Sequence, residues 1–180
     1  MKVIAIGGEP GAGKSTLMKR VIEHYKVEPR YDAYKLVPYL QKDNVHILGK
    51  YEEGEVFSGT DRMSMAVQPE AIKFLTTLPE NAVVLYEGDR LFTASFLEHC
   101  VDKYNTYIIY LKTDRHVRNE RYKERGSNQD ETWLQGRETK ISNILSNLTL
   151  TFNTDHHDHN TYEEQQKVFE HIIEIVEGRL

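Results

Sequence analysis

The sequence predicts a three-layer α/β fold: a central parallel sheet with helices on both faces. Three observations carry it. Apolar runs at 2–6, 82–86 and 106–111 are rich in Val and Ile and lack alternation, as strands covered on both faces do. Segments with apolar residues three and four apart lie between and after them. A glycine-rich turn joins the first run to the first such segment. Strands alternating with helices build βαβ units, whose crossovers are right-handed and whose ligands gather at the carboxyl ends of the strands.

The elements follow in order. Lys2–Ile6 is a short buried strand that stops at Gly7-Gly8, and a helix runs from Lys14 to about Tyr25. Asn44–Leu48 is a weak strand candidate. Gln68-Pro69 reads as an N-cap followed by Pro at the first helical position, where its missing N–H costs nothing. Ile72, Leu75 and Leu78 mark the inner face of that helix. Ala82–Tyr86 and Thr106–Leu111 are strands. Residues 114–125 and 131–148 are helical, the second with Leu134, Ile141, Ile144, Leu145 and Leu148 on one face. Thr149–Asn153 is expected to be a last strand. Thr161 and Glu164 form a capping-box signature opening a final helix.

At 180 residues the chain is read as one domain, 1–180, with an acceptor-binding insertion at about 27–80 and a lid at about 112–130. No apolar run approaches the ~20 residues that span a bilayer, so no membrane contact is expected. Cys100 is the only cysteine and cannot form an internal disulfide; a cytoplasmic location follows as the expectation. The 23 Lys and Arg against 28 Asp and Glu, a net charge of -5, argue against a sequence-independent nucleic-acid coat. A local basic groove remains compatible with that balance.

Chemistry enters at Gly8-Glu-Pro-Gly-Ala-Gly-Lys-Ser15, which matches G-x-x-x-x-G-K-[ST] between a strand and a helix. Gly8, Gly11 and Gly13, with Ala12 between the last two, let the backbone turn its N–H groups inward on phosphate oxygens. The helix behind adds the positive end of its dipole. Lys14 is expected to reach the β- and γ-phosphates of ATP, and the Ser15 hydroxyl to ligate Mg²⁺, with Thr16 completing the lysine-hydroxyl-hydroxyl ending.

Gly8–Thr16 resembles the Walker A loop of P-loop nucleoside triphosphatases, and the layout beyond it resembles their small kinases. No Asn-Lys-x-Asp guanine reader is present, and the strand at 83–86 ends in Glu87-Gly88-Asp89-Arg90 where a motor ATPase would show Asp-Glu. An acid at that strand end followed by arginine resembles nucleoside and nucleotide kinases. The resemblance implies that Glu87 or Asp89 deprotonates the acceptor or holds magnesium water and that Arg90 holds substrate. Glu87 is favoured as closest to the strand end, and Asp89 is alternatively the ion-pair partner of Arg90.

Residues 112–125 carry six positive and three negative side chains. Arg115, Arg118, Arg121 and Arg125 share one side of a helix. The resemblance makes this a lid closing over ATP, with Arg118 and Arg121 the best candidates to stabilise the transferring group. Residues 126–131 read as a hinge and helix cap, followed by Arg137 and Lys140 on a flank that faces either the cleft or solvent.

On the acceptor side, Gly59-Thr60-Asp61-Arg62 combines a turn with a hydroxyl, a carboxylate and a guanidinium. Arg62 is a candidate grip on an acceptor phosphate, Asp61 or Thr60 on a base or sugar, and Asp32 a weaker contact. Tyr31, Tyr34, Tyr39 and Tyr51 either stack a nucleobase or sit at half-buried helix edges. His156-His157-Asp158-His159 is expected to be a solvated loop rather than a metal site, since no distant Cys or His completes one; the kinase resemblance sets that loop near the adenine.

The reading is an ATP-dependent phosphotransferase acting on a nucleoside-type hydroxyl. The order of phosphate loop, Gly-Thr-Asp-Arg and Glu-Gly-Asp-Arg also resembles phage-encoded 5-hydroxymethyluracil DNA kinases, implying a modified-base DNA acceptor. The alternatives are a deoxynucleoside monophosphate kinase and an ATP-binding sensor without an acceptor.

Overall fold

The computed structural model describes residues 1–55, 57–124, 126 and 130–180. Its centre is a seven-stranded sheet: β1 Lys2–Gly7, β2 Glu28–Arg30, β3 Tyr39–Lys42, β4 Val45–Leu48, β5 Val83–Glu87, β6 Asn105–Lys112 and β7 Thr154–Asp158. The spatial order is β2-β3-β4-β5-β1-β6-β7. From β4 to β7 all neighbours are parallel, and β2 and β3 add an antiparallel edge.

Helices α1 Lys14–Tyr25, α2 Val67–Thr77, α3 Ala94–Lys103, α4 Arg115–Glu124, α5 Glu131–Leu145, α6 Leu148–Thr151 and α7 Tyr162–Glu177 cover the two faces. The period of two along each strand divides the core. Val3, Ala5, Val84, Tyr86 and Ile108 pack with α2, α3 and α5, whereas Ile4, Ile6, Val83, Leu85 and Ile109 pack with α1 and α7. The central strands are thus buried on both sides, which is why their sequences lack alternation. Cys100 lies in the first of these layers, fully buried, and burial pushes its thiol up to about 12.

Three expected boundaries are corrected. Gln68 is not the cap of α2: the helix starts at Val67 with Ala66 in the capping position. Pro69 sits third in the first turn, where a backbone donor is still unneeded. Gln68 instead donates to Ser95 at 2.8 Å and accepts from Thr93 at 3.1 Å. The helix expected over 131–148 ends at Leu145, and 148–151 is a separate turn of helix capped by the Asn147 side chain. The last strand is therefore not 149–153 but Thr154–Asp158, so His156, His157 and Asp158 are strand rather than loop. Among the described residues no helix is long and apolar enough to cross a membrane.

Register positions the site. Ile6 lies beside Glu87, and Gly7 beside Tyr110. The carboxyl ends of β5, β1 and β6 therefore open onto one cleft, with Gly8–Lys14 arching over the middle.

Candidate functional site

The turn after β1 is made by glycines at positive φ, Gly8 (152°), Gly11 (80°) and Gly13 (91°). A side chain at Gly11 would strike the Arg118 carbonyl, and one at Gly13 the His159 ring. Helix α1 begins at Lys14 with no side-chain cap on its N-terminus and no acid in its first turn. Its N-terminal N–H groups are thus not taken by a side-chain cap of its own, which suits a bound anion. Lys14 folds across the loop, donating to the carbonyls of Gly8 (2.8 Å) and Glu9 (3.1 Å). Glu9 in turn accepts from the Tyr110 hydroxyl at 2.7 Å.

Glu87 ends β5 and is 1 % exposed. Its Oε1 accepts from Ser15 Oγ at 3.1 Å and from the Tyr51 hydroxyl at 3.3 Å. Burial pushes its carboxyl up to about 7, with Lys14 pulling down and Asp61 pushing up. Asp61 is raised too, by burial and then by the charge of Asp89. It accepts from the Asp89 backbone N–H at 2.6 Å. Asp61, Glu87 and Asp89 share the cleft with Gly8, Gly13, Lys14 and Ser15.

The alternative reading of Asp89 paired it with Arg90. Asp89 instead pairs with Arg137 of α5 at 3.0 Å and lies 3.8 Å from Lys140. Arg90 donates to the Met63 carbonyl at 3.3 Å. Arg137 faces the cleft and lies over the Trp133 ring, 5.0 Å from its centroid.

The lid arginines are placed differently from expectation. Arg121 donates to four carbonyls: Gly11 and Ala12 at 3.3 Å, His159 at 3.0 Å and Asn160 at 3.1 Å. It straps α4 to the phosphate loop and to the β7–α7 connection, on the outer side of the loop beside Thr16 and Gln165. Arg118 pairs with Glu138 at 2.9 Å, and Arg115 with Glu131 at 3.3 Å. Arg125 and the expected hinge residues Ser127, Asn128 and Gln129 lie outside the described residues. Among the described residues, the guanidinium that lines the central cleft is that of Arg137, on α5 beyond the expected lid.

On the acceptor side the expectations divide. Asp61 reaches the cleft. Thr60 is fully buried in a 3-10 turn beneath it, against Gly88. Arg62 is taken by Glu52 at 2.6 Å and Glu55 at 3.8 Å, and is not among the residues lining the cleft. Asp32 is exposed in a turn and also outside it.

Tyr34 and Tyr39 pack on Phe74 in the core and are not stacking platforms. Tyr31 ties down the loop at Tyr51, accepting from its backbone N–H at 3.1 Å. The aromatic walls of the cleft are Phe57, Tyr122 and Trp133, which the sequence reading missed. One signal was available for Trp133: it precedes Arg137 by four positions, one turn along the same helix face.

His159 also departs from a solvated loop. It is 2 % exposed, and its Nδ1 donates to the Ala12 carbonyl at 2.7 Å. Burial drives its pKa down to about 4, so the ring is neutral under the phosphate loop.

A phosphate loop with a buried acid at the neighbouring strand end defines a P-loop kinase type of site on a P-loop fold. Residues 1–169 match the family P-loop Nucleotide Kinase3, and the chain belongs to it. No curated protein sequence matches. Among solved structures it is similar to a deoxyadenosine kinase from M. mycoides with products dCMP and a flexible dCDP bound. That match has 16% identity and TM-score 0.53, covering 99% of this chain and 100% of that one. It is also similar to an uncharacterized protein from Eubacterium ventriosum (15%, TM-score 0.48, 98% and 99% covered). A third is a gluconokinase from Sinorhizobium meliloti (13%, TM-score 0.49, 99% and 97% covered).

Proposed function

We propose that the chain is an ATP-dependent kinase that transfers the γ-phosphate to a nucleoside-type hydroxyl. The observation that carries this is Glu87, a buried carboxyl bonded to Ser15 and raised to about 7. A base with a pKa near the working pH is the efficient acceptor of a hydroxyl proton. In the step, the acceptor oxygen bonds to the γ-phosphorus while the bond from that phosphorus to the β,γ-bridging oxygen breaks. The hydroxyl proton passes to Glu87, and ADP leaves.

Lys14 and Arg137, the cations lining the cleft among the described residues, offset charge on the transferring group. The phosphate loop N–H groups hold the donor phosphates. Hydroxyl and carboxylate oxygens from Ser15 and Asp61 face the same cleft, a hard donor set that fits Mg²⁺; these residues would hold it. Such an ion would supply positive charge against the donor phosphates.

A hydroxyl acceptor is favoured over a deoxynucleoside monophosphate. Gripping an acceptor phosphate calls for a further cation directed into the cleft, whereas Arg62 is held by Glu52 and Glu55, Arg90 turns to the Met63 carbonyl, and neither lines the cleft. Within this reading the acceptor is the hydroxymethyl group of 5-hydroxymethyluracil in DNA. The order of motifs supports it, and so do the aromatic walls Phe57 and Trp133, between which an extruded base would stack.

The test is transfer of labelled γ-phosphate from ATP to deoxynucleosides, deoxynucleoside monophosphates, ordinary DNA and DNA containing 5-hydroxymethyluracil. Label on the modified DNA alone is the expected result. Label on free deoxynucleosides keeps the hydroxyl kinase and removes the DNA acceptor. Label on monophosphates overturns both, and ATP binding without transfer to any acceptor means a sensor. Lys14→Ala should abolish transfer with the melting temperature unchanged; retained transfer would refute the phosphate-loop assignment.

A further inference from the structure

Outside the residues that line the phosphate cleft, β7 and α7 bring together three side chains that the proposed reaction does not use. Along β7 the period of two sends Asp155 and His157 to one face, while His156 turns to the other and meets the Tyr110 ring at 5.2 Å. The face that carries Asp155 and His157 is covered by α7, which presents His171. The His157 and His171 rings lie 4.8 Å apart, tilted by 42°. His171 Nε2 is 3.6 Å from Asp155 Oδ2. One ligand atom from each of the three residues lies within 4.8 Å of the other two.

The nitrogens give a second, independent observation. Nε2 of His157 and Nε2 of His171 are both shut off from solvent and make no hydrogen bond. A buried polar atom without a partner is costly, and here two such atoms belong to rings that stand side by side, one of them next to the Asp155 carboxylate. The distant histidine that sequence spacing did not supply is His171, fourteen positions on and one helix away.

We propose that Asp155, His157 and His171 form a binding site for a borderline divalent transition metal of the zinc class. Two imidazole nitrogens and one carboxylate oxygen, with a fourth position left for water, are a donor set such ions take. With metal–ligand bonds of roughly 2.0–2.2 Å, tetrahedral ligand atoms stand roughly 3.3–3.5 Å apart. The present spread, within 4.8 Å, is wider than that, so binding would draw the three groups together. Asp155 supplies one negative charge to an otherwise neutral set, and its half-exposed side chain leaves an entry path. The bound ion would pin the edge strand β7 to α7, just ahead of the His159 contact with the phosphate loop.

The experiment uses the whole chain, stripped with a chelator and titrated with Co²⁺ in excess Mg²⁺, so that hard oxygen sites are filled. Visible absorption of tetrahedral character at one equivalent, displaced by Zn²⁺, is expected, with a rise in melting temperature on Zn²⁺ binding. Asp155→Asn and His171→Gln should each weaken binding at least tenfold, and both should be compared with the parent for metal-free melting. His156→Gln, on the opposite face, should leave binding intact. Absence of a one-equivalent spectrum, or binding unchanged in well-folded His157→Gln and His171→Gln proteins, overturns the site.

Discussion

Glu87 shows how one residue acquires its chemistry from its position. A glutamate in water titrates well below neutrality, but at the end of β5 its carboxyl loses solvation, and that loss outweighs the attraction of Lys14. Replacing it by Gln keeps the shape and the contact with Ser15 but removes the proton acceptor. Glu87→Gln should therefore lower kcat by ~10²–10⁴ with donor KM little changed, measured by steady-state transfer kinetics. His159 is the opposite case, a base kept neutral by burial. Its folded pKa of about 4 lies below the ordinary value of 6.5. Its contribution to stability is complete above about pH 6.5 and is lost as pH falls through about 4, since the unfolded chain takes up the proton first. Melting followed from pH 7 to 4 should decline less steeply for His159→Asn, which retains a donor for the Ala12 carbonyl. Identical slopes in the two proteins would remove His159 from this role. Both residues stood out in the sequence to different degrees. Glu87 ends an apolar strand in plain view, whereas nothing local distinguishes buried His159 from exposed His156.

Among the elements, the ones legible in sequence are those whose pattern is local. The strand–glycine loop–helix at 2–25 and the capping box of α7 were readable because the residues that make them are adjacent, and both halves of that box are formed. Strand β7 was not, because Thr-Asp-His-His-Asp has no apolar residue; it is strand by pairing along β6 rather than by propensity. The partners of the lid arginines were hidden for the same reason. Arginine spacing on α4 says that the side chains share a face, but not that Arg121 meets four carbonyls from two other segments. That strap carries its own prediction. Arg121→Met keeps much of the stem and loses the donors to Gly11 and Asn160, while the Ala12 and His159 carbonyls keep the Thr113 hydroxyl and, for Ala12, the His159 ring. It should destabilise the chain by ~2 kcal/mol in urea unfolding and raise the KM for ATP. A variant as stable as the parent would mean that α4 is held by other contacts.

In the molecule as a whole, the strand-end acids of the sheet and helix α5 face one cleft, and an ionic contact joins them across it. Asp89, two residues past β5, pairs with Arg137 and sits near Lys140, and Lys140 also donates to the Asp89 carbonyl at 2.8 Å. Helix α5 is anchored in the core farther along by Ile141 and Ile144, and toward its N-terminus the Asp89–Arg137 contact acts beside the Arg115–Glu131 and Arg118–Glu138 pairs. A net charge of -5 says nothing of this, because the acids and bases that matter cancel in the sum. The contact is only partly exposed, with side chains about a quarter accessible, so it is stronger than an open surface pair yet still screened by salt. If it holds the cleft closed against water, loosening it should uncouple ATP consumption from transfer. Asp89→Asn and Arg137→Gln should each raise acceptor-independent ATP hydrolysis relative to transfer, and the double variant should resemble either single one. In a double-mutant cycle on melting, such shared loss appears as a coupling of ~0.5–3 kcal/mol. Additive effects would instead mean that the two residues act separately. Asp89 would then serve within the acid cluster, and Arg137 only as the cleft cation beside Trp133.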